Sequence, residues 1–194
     1  VVYDDGGGAA AARAWWVLKW AGIESVRILD GGYPVWAGHG QNETGVPPRR
    51  KRKDRGNITL SAGHMPTVEA DEVEAFNGIV IDAREAHRYR GEFEPIDPRA
   101  GHIPGALNLP VSENFSPSGK IKTEDELQDN FSQAGVSTTS AVAVYCGSGV
   151  AATHHVAVLA SLGIDAALFP GSWSQWVSDP HREIGRLGPV SGVD

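Results

Sequence analysis

One stretch, Ala141-Val142-Ala143-Val144-Tyr145-Cys146-Gly147-Ser148-Gly149-Val150-Ala151-Ala152, constrains this chain more than any other. Ala141 to Val144 are small or β-branched apolar residues leading into Tyr145, the pattern of a short strand buried on both faces. The chain's single cysteine follows, and Gly147 and Gly149 then allow a tight turn. From Val150 to Leu162 the residues are rich in Ala, Val and Leu and predict a helix. Cys146 therefore stands where a strand ends and a helix begins, beside main-chain N–H groups that the first helical turn leaves unbonded. Such a position favours an anion, and a thiol placed there is expected to ionise readily. The competing reading is a buried cysteine acting as a small hydrophobe. The Gly-Ser-Gly setting, off any apolar face, favours the reactive reading.

A chain of 194 residues with 41% hydrophobic residues can bury one or two modest cores. A net charge of −7 argues against nucleic acid as a partner. A single cysteine excludes an intrachain disulfide framework and a multi-cysteine metal site, and suits a reducing compartment, so a cytoplasmic location is expected. No apolar run approaches a membrane span: Ala9 to Ala12 and Trp15 to Leu18 are interrupted by Arg13 and Lys19.

The first segment, Val1-Val2-Tyr3-Asp4-Asp5-Gly6-Gly7-Gly8, predicts a short strand and a glycine loop. Ala9 to Ala21 predicts a helix, Ser25 to Leu29 a second strand, and Gly31-Gly32 a turn into Tyr33-Pro34-Val35-Trp36. This segment resembles the end of the chain. Val2-Tyr3-Asp4 aligns with Val144-Tyr145-Cys146, Ala21-Gly22-Ile23-Glu24 with Leu162-Gly163-Ile164-Asp165, and Leu29 through Trp36 with Phe169 through Trp176. The offset drifts only from 142 to 140 residues, which marks an internal repeat. Residues 1–45 thus read as the C-terminal half of a domain whose front half this chain lacks, 46–60 as a linker and 61–194 as a complete second domain. Within the linker region, Pro47-Pro48-Arg49-Arg50-Lys51-Arg52-Lys53 reads as a solvated basic face, with polyanion contact as the alternative.

In the second domain a helix is expected near Thr67-Val68-Glu69-Ala70, with the capping-box position after Thr67 unfilled. Ile79-Val80-Ile81 predicts a buried strand delivering Asp82-Ala83-Arg84 at its end. A helical turn holds His87-Arg88-Tyr89-Arg90, and an acidic, proline-bearing loop runs from Glu92 to Arg99. A short strand follows Gly101-His102-Ile103-Pro104-Gly105. Thr123 caps a helix with an acidic first turn, and Ala166 to Phe169 forms the last strand. Strands alternating with helices imply an α/β fold with a mostly parallel sheet covered on both faces, and ligands then bind at the carboxyl ends of the strands.

Asp82-Ala83-Arg84 with Arg88-Tyr89-Arg90-Gly91, Gly101-His102-Ile103-Pro104-Gly105-Ala106, Tyr145-Cys146-Gly147-Ser148-Gly149-Val150 and Phe169-Pro170-Gly171-Ser172-Trp173-Ser174-Gln175-Trp176 together resemble the two-domain rhodanese sulfurtransferases. The resemblance implies two similar α/β domains, an inactive first and a catalytic second. Asp4, standing at the repeat position of Cys146, agrees, because a carboxylate cannot take up sulfur. Gln175, where the closing motif usually has Glu, and Pro98, where an aromatic is usual four residues before His102, depart from the pattern.

The family's chemistry implies that Cys146 takes a sulfur atom from a small anionic donor as a persulfide, cradled by the N–H groups of Gly147, Ser148, Gly149, Val150 and Ala151. It then passes that sulfur to a small thiol, cyanide or a thioredoxin-like acceptor, with no cofactor, metal, nucleic acid or membrane involved. The loop lacks the basic residues of thiosulfate-type enzymes and is similar to the 3-mercaptopyruvate type, in which the serine matching Ser148 works with groups of the first domain. Arg88 matches an arginine that binds the donor carboxylate. A second such arginine has no clear match, since Ile96 or Asp97 stands there and Arg99 is displaced. Arg84 could contact substrate or pair structurally with Asp82 or Glu85. His102 reads as a structural hydrogen-bonding residue, and the adjacent His154 and His155 as pointing to different faces of their helix, unable to form an i, i+4 metal pair. The tryptophans read as core and domain-interface packing. A phosphatase of the same fold would need a longer loop ending in Arg, and Ala152 stands six residues after Cys146. A non-catalytic binding or sulfur-sensing module is the remaining alternative.

Overall fold

A computed structural model of the chain describes residues 1–40, 45 and 56–187. The basic run of residues 49–53 lies outside the described residues. The elements are α1 (Ala9–Trp20), α2 (Gly32–Gly38), α3 (Ala70–Glu74), β1 (Ile79–Asp82), α4 (Ala86–Arg90), β2 (Leu107–Asn108), a 3₁₀ turn (Val111–Asn114), α5 (Glu124–Gln133), β3 (Val142–Tyr145), α6 (Ala152–Ser161), β4 (Ala166–Leu168) and α7 (Ser172–Ser178).

The four strands pair in the order β2-β1-β3-β4, all parallel, with β3 in the interior. Residues alternate strictly between the sheet faces. Ile81, Val142 and Val144 look to one side, into a core with Trp16, Leu127, Phe131 and Leu159 from α1, α5 and α6. Val80, Ala143 and Tyr145 look to the other, against Ala70 and Val73 of α3 and Trp173, Trp176 and Val177 of α7. Both faces of β3 are therefore covered, which explains its unbroken apolar run. Register sets Asp82 beside Tyr145. The residues after both strands, Arg84 and Cys146, consequently emerge at the same sheet edge.

Three expectations shift. The first segment's two strands reduce to a single parallel bridge between Val2 and Ile28. The helix after Cys146 begins at Ala152, not Val150, because Gly149 takes φ +73° and the chain turns before it coils. Thr67 bridges Leu168 as extended chain, so the cap of α3 moves to Glu69, whose main-chain N–H is bonded by Glu72 in a filled capping box. Trp16 of α1 is buried in the same core as Leu159, and α1 lies along α6. Among the described residues no helix is long and apolar enough to cross a membrane.

Leu159 is fully buried where α6 meets β3 and α1. Leu159→Ala is expected to cost about 2–5 kcal/mol, read as a lower urea midpoint with an unchanged slope.

Candidate active site

Cys146 is the first residue past β3, and its main chain is clamped on both sides. Its N–H donates to Ser172 Oγ at 3.1 Å, and its carbonyl accepts the Trp173 N–H at 3.0 Å. Ser172 Oγ in turn donates to the Phe169 carbonyl, and the residue is held at φ +53°, a left-handed conformation that non-glycine residues rarely adopt. The loop carbonyls are then taken one after another. That of Gly147 accepts from Ser174 N–H and Oγ, that of Gly149 from Arg13 Nη1, that of Val150 from Thr153 and that of Ala151 from His154. The N–H groups of Gly147, Ser148, Gly149, Val150 and Ala151, by contrast, meet no protein acceptor among the described residues. Of these residues only Gly149 is buried, and the others border the open space beside Cys146; five N–H groups unpaired in succession beside a helix N-terminus form an anion cradle.

The first segment shows a filled version. The Asp4 carboxylate, which the sequence comparison within the chain aligns with Cys146, accepts from the N–H groups of Gly6 (3.1 Å), Gly8 (3.3 Å) and Ala11 (3.0 Å). An aspartate Oδ and the outer sulfur of a cysteine persulfide lie the same number of bonds from Cα. The glycine loop ahead of α1 thus holds, with its own side chain, a charge where the loop ahead of α6 has room for an added atom.

Cys146, Gly147, Ser148, Val150 and Ala151 open into a cavity of about 640 Å³. Its opposite wall carries Arg84, Glu85, Arg88 and Asp97. Arg84 is a brace: Nε and Nη2 bond Asp82 in a fork, Nη2 also reaches the Gly101 carbonyl, Nη1 reaches Glu94, and the guanidinium lies 4.5 Å from the Trp173 ring centre. Burial works against its charge, but Asp82 outweighs that and raises its pKa. The structural pairing is thus with Asp82 and Glu94, not Glu85. Arg88 gives Nε and Nη2 to Glu94 at 3.1 and 2.6 Å. Its Nη1 has no hydrogen-bond partner among the described residues, and the guanidinium borders the space above Gly147, 3.5 Å from where a Cβ there would sit. Ser148 is exposed at the cavity, and its hydroxyl bonds no other described residue. Arg99 faces away, bonding the carbonyls of Val177, Asp179 and Arg182. His102 stacks on Tyr89 and bonds its carbonyl through Nδ1.

His154 and His155 converge, contrary to the expectation that neighbours on a helix diverge. The Asn114 amide reaches Nδ1 of His155 at 2.9 Å and of His154 at 3.3 Å, and His155 Nε2–H donates to the Leu109 carbonyl. Both Nδ1 atoms are therefore acceptors and both rings neutral. Burial above all lowers each pKa to about 4, with the neighbouring His155 adding to the effect on His154. Sequence reasoning missed Glu94, Asp97, Asn114, Ser172 and Ser174 as parts of this site. The available signals were the acidity of the loop from Glu92 to Arg99 and, for Asp97, its place at or beside the position of a second carboxylate-binding arginine.

A parallel α/β sheet with a cysteine loop of this form is a rhodanese architecture, and the chain belongs to that family: the Rhodanese-like domain matches residues 1–39 and 68–179. The Mycobacterium tuberculosis protein SseB, provisionally named a thiosulfate sulfurtransferase, is 48% identical over 193 residues, covering 96% of this chain and 66% of that protein. The 3-mercaptopyruvate sulfurtransferase of Escherichia coli K12 is 35% identical over 197 residues, covering 91% of this chain and 64% of the relative. The chain spans about two thirds of the length of these curated relatives. In fold it matches the anaerobic ergothioneine biosynthesis enzyme of Chlorobium limicola, with a TM-score of 0.82 at 22% identity over 93% of this chain and 46% of that one.

The two histidines make stability depend on pH in a defined direction. Their folded-state pKa of about 4 lies below the ordinary 6.5, so the unfolded chain binds more protons between these values. Unfolding free energy is expected to be level just above pH 6.5 and to fall as pH drops towards 4, as measured by urea titration at each pH. Asn114→Ala, which removes the shared donor, is expected to make the slope in that window shallower.

Proposed function

We propose that this protein moves a sulfur atom from a small anionic donor, 3-mercaptopyruvate in preference to thiosulfate, to a thiol or cyanide acceptor through a persulfide on Cys146. The observation that carries the reading is the row of unpaired amides from Gly147 to Ala151 beside the cysteine. In the first half-reaction the Cys146 thiolate attacks the donor sulfur. A sulfur–sulfur bond forms, the carbon–sulfur bond breaks, and the carbon fragment leaves as an enolate that picks up a proton to become pyruvate. The outer sulfur carries the negative charge, and the unpaired amides beside Cys146 are available to stabilise it. In the second half-reaction a nucleophile takes the outer sulfur and returns the thiolate, so kinetics should be ping-pong.

The donor preference rests on charge. The cysteine loop carries no basic side chain, and Arg88 is already half-spent on Glu94. Its free Nη1 edge suits a single carboxylate such as that of mercaptopyruvate better than a dianion. Relatives named for both donors are found, so the choice rests on this wall. We also read residues 1–45 as a degenerate copy of the unit that holds Cys146, 46–60 as the linker and 61–194 as the catalytic unit. The Asp4 carboxylate in its own amide cradle supports this reading. A working free thiol suits a reducing compartment, the cytoplasm.

Cys146→Ser is expected to abolish sulfur release from 3-mercaptopyruvate while leaving the circular dichroism and urea midpoint nearly unchanged. Mass spectrometry of the donor-treated native chain should find one added sulfur on the Cys146 peptide. Gly149→Ala adds a Cβ that would overlap the Pro170 carbonyl oxygen, at a positive φ. The resulting loop shift should slow persulfide formation at least about tenfold, measured as single-turnover pyruvate release.

A further inference from the structure

The wall facing the cysteine loop carries more negative charge than its arginines can neutralise. Asp82, Arg84 and Glu94 are buried there, with Arg88 and Asp97 only 16 and 8% exposed. Three carboxylates meet two guanidiniums, and exposed Glu85 adds a further negative charge to the same cavity. Burial opposes the charge on Glu94, but hydrogen bonds from Arg88 and from the N–H groups of Ile96 and Asp97 hold its pKa below the ordinary range, so it stays ionised.

The pairing within this group is uneven. Arg84 is committed to Asp82, the Gly101 carbonyl and Glu94, and Arg88 turns its Nε and Nη2 to Glu94. Asp97 is left over. Its Oδ2 is buried without a hydrogen-bond donor, and the nearest guanidinium nitrogen, Arg88 Nη2, stands at 3.8 Å, too far to be one. A carboxylate oxygen taken from water and given no donor is costly. Asp97 also lines the cavity that Cys146 opens into. A cation entering that cavity would meet a carboxylate whose ion pair with Arg88, at 3.8 Å, is shared with Glu94, whereas an anion reaching past Arg88 would be repelled by it.

Resting on the sulfur-transfer reading of Cys146, we propose that the Asp97 carboxylate forms an ammonium subsite in the cavity, so that the preferred acceptor is a small aminothiol. The acceptor's amine docks at Asp97 while its thiolate attacks the outer sulfur of the Cys146 persulfide. The new bond joins acceptor sulfur to outer sulfur. The bond between Sγ and the outer sulfur breaks, and its electron pair returns to Sγ as the thiolate. The acceptor loses its thiol proton to solvent before attack, and the product is the aminothiol persulfide, so no oxidant or reductant is consumed. Asp97 touches the amine and not the reacting sulfurs, which makes it a specificity residue.

Three thiols of similar size separate the charge states: cysteamine (cationic), 2-mercaptoethanol (neutral) and 3-mercaptopropionate (anionic). The full chain is loaded with 3-mercaptopyruvate, persulfide is quantified by mass, and second-order rates of its discharge are normalised to thiolate concentration. Cysteamine is expected to be fastest and 3-mercaptopropionate slowest, at least about tenfold apart. In Asp97→Asn the ratio of these two rates is expected to fall at least about tenfold, with circular dichroism checking the fold. A loaded native chain that discharges to all three thiols at equal rates, or fastest to the anion, overturns the subsite whether or not the variant folds. A ratio unchanged in folded Asp97→Asn overturns the role of Asp97. A native chain that never gains a sulfur overturns instead the sulfur-transfer reading.

Discussion

The site depends on how the carbonyls of the loop after β3 are occupied. A peptide unit has two polar ends, and fixing one fixes the direction of the other. Ser174 and Trp173 of α7, Arg13 of α1, and Thr153 and His154 of α6 bond the carbonyls of Cys146, Gly147, Gly149, Val150 and Ala151 from outside. The N–H groups of the same peptide units, on Gly147, Ser148, Val150 and Ala151, point the opposite way and bond no acceptor among the described residues. The cradle is thus assembled by the adjacent α6 and α7 together with the distant α1, and the positive φ of Ser172 is the strain that this arrangement retains.

Around the cradle, the sheet serves as a ruler. Register between β1 and β3 sets Asp82 beside Tyr145, so the brace that begins with Asp82 and Arg84 stands one residue from the cysteine loop. Arg84 lies against Trp173, and Trp173 N–H bonds the Cys146 carbonyl. The charged wall and the amide cradle are therefore mechanically joined, and both rest on the buried face that carries Tyr145 and Trp176. On the opposite face the Asn114, His154 and His155 cluster ties α6 to the 3₁₀ turn with neutral, hydrogen-bonded rings. Through His154 and Phe115 it also abuts the glycine loop that carries Asp4.

Much of this was legible beforehand, for identifiable reasons. The strand-loop-helix around Cys146 was plain because a doubly buried strand must be continuously apolar and a tight turn needs glycine. The position of the α3 cap was not legible, because Thr67 is a good cap by type but is drawn into pairing with Leu168. The convergence of His154 and His155 was hidden because one amide, Asn114, some forty residues away, reaches both rings. Arg84 was left between two roles that only its partners could separate.

The sequence by itself determined the class of fold, the place of the lone cysteine at the end of a buried strand and the glycine turn beside it. These follow from short-range chemistry: side-chain period, glycine's access to positive φ, and the unbonded donors of a helix start. Tertiary structure alone decided the charge of the cavity. Glu94 and Asp97 lie in a loop with no periodicity, and their effect depends on which guanidinium they meet and how far they stand from water. Electrostatic energy depends on distances and burial, and those are set only when β1, α4 and the loop after it close against the cysteine.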